Sequence, residues 1–423
     1  MRHDHLFRTA GALLLGLLTL SACMADHGQE VGSAEEYEPA SLSEADALAD
    51  VVSAATRFGA EALVESAQGQ NVVLSPASIM VALAMLGEGA EGPAAAELDE
   101  LLGAAGADRT SAFSALQAAV LEYDGDPAVV QEDDLPDTPL LHMANQLVLS
   151  DSPSPDQDFL DVLASSYDAG VVTADFAAAD SQQLLDEWVY EHTGGLVKES
   201  AVETPDPDLV FVLLSAIVLA AQWQVQFDPA NTAQRDFTTA GGDTVEAETM
   251  QQTFEAAYTE HDDAQVIRLP YTEGFAMDVV LPADVAAPAD FTDQSWSAVD
   301  AAFAEETQTS VDLALPTVDM QNNKDLVTLL KGMGAPNTVA GNDLSRIDPA
   351  VEINQAAHQA VLRIDEEGTV AAAVTEIAGV TSAPVDPPDA VEMTVDRPYL
   401  VRIVHQETNW PLFMASIADP TEG

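Results

Sequence analysis

Basic residues and cysteine are both scarce in this chain. Its 423 residues include 13 Lys+Arg against 72 Asp+Glu, which gives a formal net charge of −59 at pH 7. Nucleic acid is excluded as a partner, because phosphate binding requires a clustered basic surface. An anionic membrane surface would repel the chain as well.

The excess of acidic residues must be tolerated by the folded chain despite its self-repulsion. High salt would screen that repulsion, since the Debye length is only about 3 Å at 1 M ionic strength. Lysine is especially rare and occurs at positions 198, 324 and 331. Two explanations stay open: a salt-adapted organism, and a GC-rich genome that favours Ala, Asp, Glu and Arg.

Cysteine occurs once, as Cys23, which therefore has no partner for a disulfide or a cysteine-based metal site. The apolar run from Ala10 to Leu20 is too short to span a bilayer as a helix. It ends in LSAC, which resembles the cleavage box of bacterial lipoproteins. We predict a lipoprotein signal peptide over residues 1–22 and a lipid anchor on Cys23. The anchor would hold the protein outside the cytoplasm, on a bacterial membrane or cell surface. An ordinary secretory signal with an incidental cysteine is the alternative.

The remaining chain divides into a tether and one folded domain. Residues 23–40 are acidic and aperiodic, and we predict that they form the tether. The folded domain is predicted over residues 41–423, because Ser41 and Glu44 match a helix capping box. Apolar residues recur at helical spacing directly after it.

Helical patterns dominate up to about residue 200, and strand patterns follow. The run Leu209–Leu219 is almost wholly apolar, which is typical of a strand covered on both faces. Helices followed by strands indicate an α+β fold. The acidic segment 122–139 contains several prolines and aspartates and is predicted to be a solvated surface loop.

Catalytic motifs are missing. The sequence contains no G-x-S-x-G elbow, no P-loop, no G-x-G-x-x-G after a strand and no H-E-x-x-H. The acidic segment 122–139 lacks the calcium-loop pattern. His358 lies in an uncharged stretch, which favours a hydrogen-bonded core histidine over a catalytic base. We predict no enzymatic activity, no metal and no cofactor.

The most informative segment follows the acidic pair Glu366-Glu367 and Gly368. From Thr369 to Val385, Glu376 is the only charged residue. At the two-residue period of a strand, the face that begins with Thr369 carries no charge, because Glu376 falls on the other face. Such a segment could be solvated as a loop, or could enter the middle of a sheet without burying a charge.

Several sequence blocks resemble the serpin family, and together they extend from about residue 46 to residue 420. They are NVVLSPASIMVALAMLGEGAEG at 71–92, an FL-to-DF block at 159–176, WVYEHTG at 188–194, FDPANT at 227–232, DRPYL at 396–400 and PLFM at 411–414. Each block alone is a weak signal, whereas their common order and spacing is a strong one.

The resemblance implies three β-sheets wrapped by eight or nine helices, with an exposed reactive loop at about residues 366–392. Serpins act as suicide inhibitors: a protease attacks the loop and forms an acyl-enzyme. The cut loop then inserts into the main sheet. By resemblance, this chain is an irreversible inhibitor of serine proteases, with a cysteine protease as a further option, and a monomer.

The resemblance also implies a hinge and a scissile bond. The hinge comprises Glu366, Glu367, Gly368, Thr369, Ala371, Ala372 and Ala373, whose alanines are small enough to enter a sheet easily. Val370 departs from the family, which often has Glu there. A strand of about 14 residues spans roughly 45 Å. Counting that far beyond Gly368 predicts cleavage between Ser382 and Ala383, to within one residue.

The residues around the predicted cleavage site suggest the target. Thr381, Ser382 and Ala383 are small, which suits the shallow pocket of an elastase-like or subtilisin-like protease. The loop contains no arginine, which disfavours a trypsin-like target, and Pro384 restricts which proteases accept the bond. The lack of a basic patch excludes activation by a heparin-like cofactor.

A polar cluster beneath the main sheet is usual in the family and combines two serines, an asparagine and a histidine. Ser75, Ser78 and His358 match it, whereas Ser215 occupies the asparagine position, so the network must be rewired here. A non-inhibitory serpin-like binding or structural lipoprotein is the alternative function. The small, uncharged hinge favours the inhibitor.

Overall fold

The computed structural model describes residues 29–422, apart from 32, 34, 68, 133, 151–152, 286–290, 306, 341–342, 349–352, 354 and 370–389. The predictions for the signal peptide, Cys23, Ala371–Ala373 and Thr381–Pro384 lie outside these residues. Among the helices that are described, none is long and apolar enough to cross a membrane.

Nine α-helices are found in the described residues, six of them before residue 200. They are α1 (Leu48–Ala67), α2 (Pro76–Gly89), α3 (Gly92–Leu102), α4 (Gly106–Val120), α5 (Gln157–Tyr167), α6 (Ser181–His192), α7 (Asp293–Phe303), α8 (Leu326–Gly332) and α9 (Pro336–Ala340). The predicted α+β composition is confirmed.

The main sheet has seven strands. In spatial order they are β1 (Gln29–Glu30), β4 (Gly170–Thr173), β3 (Leu140–Leu149), β5 (Phe211–Gln222), β13 (Gly368–Thr369), β12 (Ala357–Ile364) and β11 (Val318–Asp325). Only β3 and β4 run parallel; the other neighbours are antiparallel. The main sheet therefore joins segments from both ends of the chain.

The other strands form two sheets that share one long strand. They are β14 (Val391–Thr394), β10 (Thr309–Pro316), β7 (Thr244–His261), β8 (Ala264–Pro270), β9 (Phe275–Pro282), β15 (Tyr399–His405), β16 (Trp410–Ile417), β2 (Val72–Leu74) and β6 (Ala233–Thr238). The first part of β7 pairs with β6 and β10, and its last five residues pair with β8. With the main sheet, this makes the three sheets expected from the sequence.

The core lies between the main sheet and β16, around helix α2. Every residue of α2 is buried, because the helix packs against β5 on one side and β16 on the other. Its start follows the sequence prediction, since Ser75 Oγ accepts a hydrogen bond from the Ser78 amide at 3.1 Å and Pro76 occupies the first turn.

Strand β5 is covered on both faces, as its apolar sequence predicts. Leu219 and Ala221 join the main core beneath the sheet. Leu214 and Ala216 face the other way, toward α6, where they pack with Trp188. We call the side of the sheet covered by α6 its front face.

The capping box of Ser41 and Glu44 is present and begins a short 3-10 turn, and α1 then starts at Leu48. One expectation about loops needs correction. The acidic segment 122–139 is not simply solvated, because Val130 and Leu135 are 1% and 5% exposed. The charged residues beside Val130 and Leu135 in the sequence indicated a solvated loop and gave no sign that these two side chains are buried.

The described part of the predicted tether is attached to the folded domain. Strand β1 pairs with β4, and the Glu38 amide donates a hydrogen bond to Ser165 O at 2.9 Å. The Ser33 hydroxyl binds the Asp161 carboxylate at 2.8 Å. Contacts with the folded domain are thus already made by described residues before Ser41.

Candidate functional site

Two residues of the hinge predicted from the sequence, Gly368 and Thr369, form a short strand inside the main sheet. Strand β13 consists of Gly368 and Thr369 and lies between β5 and β12. On one side Gly368 pairs with Gln222 and Thr369 with Ala221; on the other, Thr369 pairs with Ile364. The start of the predicted reactive loop therefore already occupies a position inside the sheet.

A tight turn leads the chain from β12 back into β13. The Asp365 carboxylate accepts hydrogen bonds from the amides of Glu367 and Gly368 at 3.0 and 3.1 Å, which is a typical role for aspartate in turns. A Cβ atom on Gly368 would lie 2.0 Å from Ala221 O and 2.7 Å from Leu135 Cδ1. Only glycine fits at this position without displacing a neighbour.

Backbone groups of this turn are bound by the segment that follows β5. The Trp223 amide donates to Glu367 O at 2.9 Å, and its indole Nε1 donates to Asp365 O at 2.9 Å. The Phe227 amide donates to Glu366 O at 3.0 Å. Glu366 and Glu367, identified from the sequence as the start of the hinge, are thus held in place mainly through their carbonyl groups.

Beneath the sheet, Thr369 is held by an aromatic pair. Its hydroxyl is hydrogen-bonded to the Tyr271 hydroxyl, and Thr369 is only 1% exposed. Tyr271 stacks on Trp223 with ring centroids 4.5 Å apart. Thr369 therefore faces the core, which is the face that the two-residue period assigned to the uncharged positions.

The hinge turn also carries acids with raised pKa values. Burial raises the pKa of the Asp365 carboxyl, although the Gly368 and Glu367 amides oppose this. Burial raises the pKa of Glu367 too, and the nearby charges of Asp365, Asp134 and Glu366 add to it. The carboxylates of this turn repel one another, so the turn depends largely on its hydrogen bonds for stability.

Below Thr369, strands β5 and β12 approach within 8 Å at their Cα atoms, which is less than the roughly 9.6 Å that an intervening strand requires. Within the described residues, no backbone pairing joins β5 directly to β12, and β13 alone connects them. A cavity of about 30 Å³ lies beside the two strands under α6, lined by residues that include Leu214, Ala216 and Ala357. We call this unpaired boundary between β5 and β12 the slot; a strand could enter it only if the two strands moved apart.

The polar cluster predicted beneath the sheet is brought together by the structure. His358 Nε2 accepts a hydrogen bond from the Ser75 amide at 3.0 Å, and the hydroxyls of Ser78 and Ser215 are 2.8 Å apart. His358 is 4% exposed, and burial lowers its pKa from 6.5 to about 4. It is thus a neutral core histidine, because Nε2 can accept a hydrogen bond only when that nitrogen carries no proton.

An asparagine does belong to this cluster, but it comes from a strand that sequence reasoning did not consider. Asn145 of β3 lies directly opposite Ser215 of β5, and its Oδ1 accepts from the Ser215 hydroxyl at 2.8 Å. Its Nδ2 donates to Gln117 Oε1 of α4 at 3.1 Å. The only signal in the sequence was a polar residue inside a largely apolar segment. That residue can be assigned to the cluster only when the pairing register between β3 and β5 is known.

Ala371–Ala373 and the bond between Ser382 and Ala383, with its neighbours Thr381 and Pro384, lie outside the described residues and stay predictions. Among the described residues, no group of three or more His, Cys, Asp or Glu side chains is arranged to hold a metal ion. The site is thus a slot in a sheet, a hinge bound at its entrance, and a polar cluster below.

Comparison with known proteins identifies related chains over almost the whole length. The family model described as "Serpin (serine protease inhibitor)" matches residues 53–420. An uncharacterized serpin-like protein of Thermococcus kodakarensis is 28% identical, covering 88% of this chain and 86% of its own. Iripin-3 of Ixodes ricinus is 27% identical, covering 84% and 90%.

Solved structures of serpins also resemble this chain. Tengpin, a thermophilic serpin solved in the native state, superposes with a TM-score of 0.79 at 21% identity, covering 93% of this chain and 100% of its own. A thyroxine-binding globulin in complex with thyroxine gives a TM-score of 0.73 at 25% identity, covering 88% and 99%. The likeness to tengpin shows the fold alone.

Proposed function

The chain belongs to the serpin family of serine protease inhibitors, and we propose that it acts as an irreversible, suicide-substrate inhibitor. A target protease would cut between Ser382 and Ala383, and the freed segment after Gly368 would insert between β5 and β12. The protein itself would be no enzyme, since the protease supplies the catalytic groups.

One observation carries this proposal: Gly368 and Thr369 are paired between two strands that do not pair with each other in the described residues. A strand that continued beyond Thr369 in the same register would remain antiparallel to β5 and β12. The backbone groups of a central strand would then be satisfied on both sides, which is the main requirement for entering a sheet.

The side chains of the predicted loop fit that continuation. In register with the observed pairs, Thr375 would reach the level of Ser215 and His358, on the core side. Its hydroxyl could then join the polar cluster, whereas a charged residue there would be buried without a partner. Glu376 would fall on the front face at the level of Leu214, which packs under α6, so its carboxylate would need room between the sheet and that helix.

The chemistry follows from the acyl-enzyme. The nucleophilic oxygen of the protease attacks the carbonyl carbon of Ser382, the bond to the Ala383 nitrogen breaks, and the amine leaves with a proton from the protease. Insertion then competes with hydrolysis of the ester by water. If insertion is faster, the protease stays covalently bound to Ser382.

The small residues at the predicted cleavage site support an elastase-like or subtilisin-like target. We further propose that residues 1–22 are removed, that Cys23 carries a lipid anchor, and that the inhibitor works at a bacterial cell envelope. Both proposals depend on sequence patterns outside the described residues, so each requires its own test: target profiling for the first, and lipid labelling of wild type against Cys23→Ser for the second.

A protease panel tests the inhibitor function. The mature protein is incubated with elastase, subtilisin and trypsin, and products are separated by denaturing gel electrophoresis and sized by mass spectrometry. We expect a complex with elastase or subtilisin that survives boiling in detergent, and a released peptide beginning at Ala383. Cleavage of the loop by every protease without any stable complex would contradict the proposal.

A binding role without inhibition is the second candidate, and a cavity favours it. A mostly apolar cavity of about 250 Å³ lies between α1, α7 and β15, with Leu63, Trp296 and Leu400 in its walls. The thyroxine-binding globulin among the similar structures is in complex with thyroxine. In this case protease would nick the loop without forming a complex, and the cut protein would gain no thermal stability.

A further inference from the structure

The acidic insert, residues 122–139, reaches across the front face of the main sheet to the hinge. Its apolar residues form a small core of their own with β3 and β5. The members of this core are Val130, Leu135, Leu140, Val218 and Ala220, all under 9% exposed. A loop that only solvated its charges would make no such core.

Leu135 makes the contacts nearest to the hinge. Its carbonyl oxygen accepts a hydrogen bond from Gln222 Nε2 at 2.7 Å. Gln222 is the residue that pairs with Gly368 in the sheet. Leu135 Cδ1 lies 2.7 Å from where a Cβ on Gly368 would be, so its side chain lies directly over the glycine.

The insert is fixed to one side of the slot. Gln131 Nε2 donates to Gly194 O at 2.8 Å, just after α6, and the Asp124 carboxylate binds His142 Nδ1 of β3 at 2.7 Å. In the described part of the chain, its hydrogen bonds go to these elements and to β5, with none to β12. Leu135 therefore covers Gly368 from an insert whose hydrogen bonds in the described residues go to the segment after α6, to β3 and to β5.

We propose that Leu135 is a positioning residue for loop insertion: it holds Gly368 against β5 and so keeps the first pair of the incoming strand formed. The inference rests on the proposed inhibitor function. It adds a role for the insert, which the sequence had marked only as solvated surface.

The physical reason is nucleation. The first residues of a strand lose backbone freedom before later pairs compensate, so starting a strand is the unfavourable step. A hinge already paired at Gly368 and Thr369 has passed that step before the protease arrives. Without the Leu135 contact, insertion would start later, and a larger fraction of the acyl-enzyme would be hydrolysed before the loop inserts.

The test compares Leu135→Ala with Val129→Ala, a control in the same insert that loses two methyl groups farther from the hinge. With a protease that forms a complex, the ratio of cleaved to complexed inhibitor should rise roughly threefold to tenfold for L135A, equivalent to about 0.7–1.4 kcal/mol. V129A should match wild type. The rate of attack on the loop should be equal in all three, because Leu135 does not contact the protease.

A second variant and a second measurement guard against misfolding. Gln222→Met removes the donor to Leu135 O and should shift the ratio in the same direction. Hydrogen exchange of residues 366–369 should be faster in L135A and Q222M than in wild type or V129A. An unchanged or lower ratio, or unchanged exchange at the hinge, would overturn the inference.

The two proposals can fail separately. If wild type forms no complex with any protease, the inhibitor function is wrong, and the exchange measurement still decides whether Leu135 holds the hinge. If wild type forms complexes and the variants exchange and partition like wild type, only the role of Leu135 is wrong.

Discussion

Gly368→Ala is the sharpest small perturbation of the hinge. The added Cβ would lie 2.0 Å from Ala221 O, whereas a carbon–oxygen contact needs about 3.3 Å. The obstructing atom is backbone oxygen in a central strand, so it cannot rotate away. Either the sheet deforms or β13 leaves the slot.

The magnitude decides between these outcomes. Forcing an extra methyl group into a packed site costs about 1–3 kcal/mol. The hydrogen bonds that pair the two residues of β13 contribute about 0.5–1.5 kcal/mol each. Since these are comparable, we expect the population of the paired hinge to fall by roughly fivefold to 150-fold, as about 1–3 kcal/mol implies.

The assay measures the ratio of cleaved to complexed inhibitor and hydrogen exchange at residues 366–369. Gly241→Ala is the matched control, because the nearest atom to its added Cβ is Thr239 Oγ1 at 3.6 Å. G368A should give mostly cleaved inhibitor with a freely exchanging hinge, and G241A should match wild type. If G368A forms complexes as efficiently as wild type, a paired hinge is not required and the reasoning is wrong.

Four further predictions follow from the site and the core. Burial lowers the pKa of His358 from 6.5 to about 4, so the unfolded chain binds the proton at a higher pH than the folded chain does, and the free energy of unfolding should fall as pH drops from about 6.5 towards 4. In urea titrations, His358→Gln should reduce this pH-dependent loss of unfolding free energy by up to about 3 kcal/mol. Asn145→Ala strips a partner from the buried Ser215 hydroxyl and should cost about 1–3 kcal/mol by the same titration, and an unchanged midpoint would contradict the network. Ser382→Arg should create a trypsin complex that wild type lacks, visible on a denaturing gel, and the absence of any trypsin cleavage there would refute the assigned bond. Arg402→Met leaves the fully buried Asp278, bound at 2.7 Å, with one fewer cation, and should destabilise the chain by about 3–5 kcal/mol in urea unfolding.

The sequence was informative wherever one strand or helix defines its own environment. The apolar run of β5, the serine cap of α2 and the uncharged face that begins at Thr369 were all predicted from local spacing. Each depends on residues a few positions apart, so periodicity and capping chemistry suffice.

Contacts between distant segments were beyond local reasoning. Asn145 joined the polar cluster because β3 lies beside β5 in a register that places it opposite Ser215. Leu135 reached the hinge because the insert folds over the front face, and its aspartates and prolines had indicated only solvent. Both outcomes depend on tertiary pairing that no window of sequence contains.

The central claim is that the segment after Gly368 enters the slot between β5 and β12 once the loop is cut. Hydrogen exchange across residues 369–380, with the thermal midpoint, should be compared for intact and protease-cut protein. We predict that cutting makes these amides strongly protected and raises the midpoint. Amides that still exchange freely after cutting, at an unchanged midpoint, would contradict the claim.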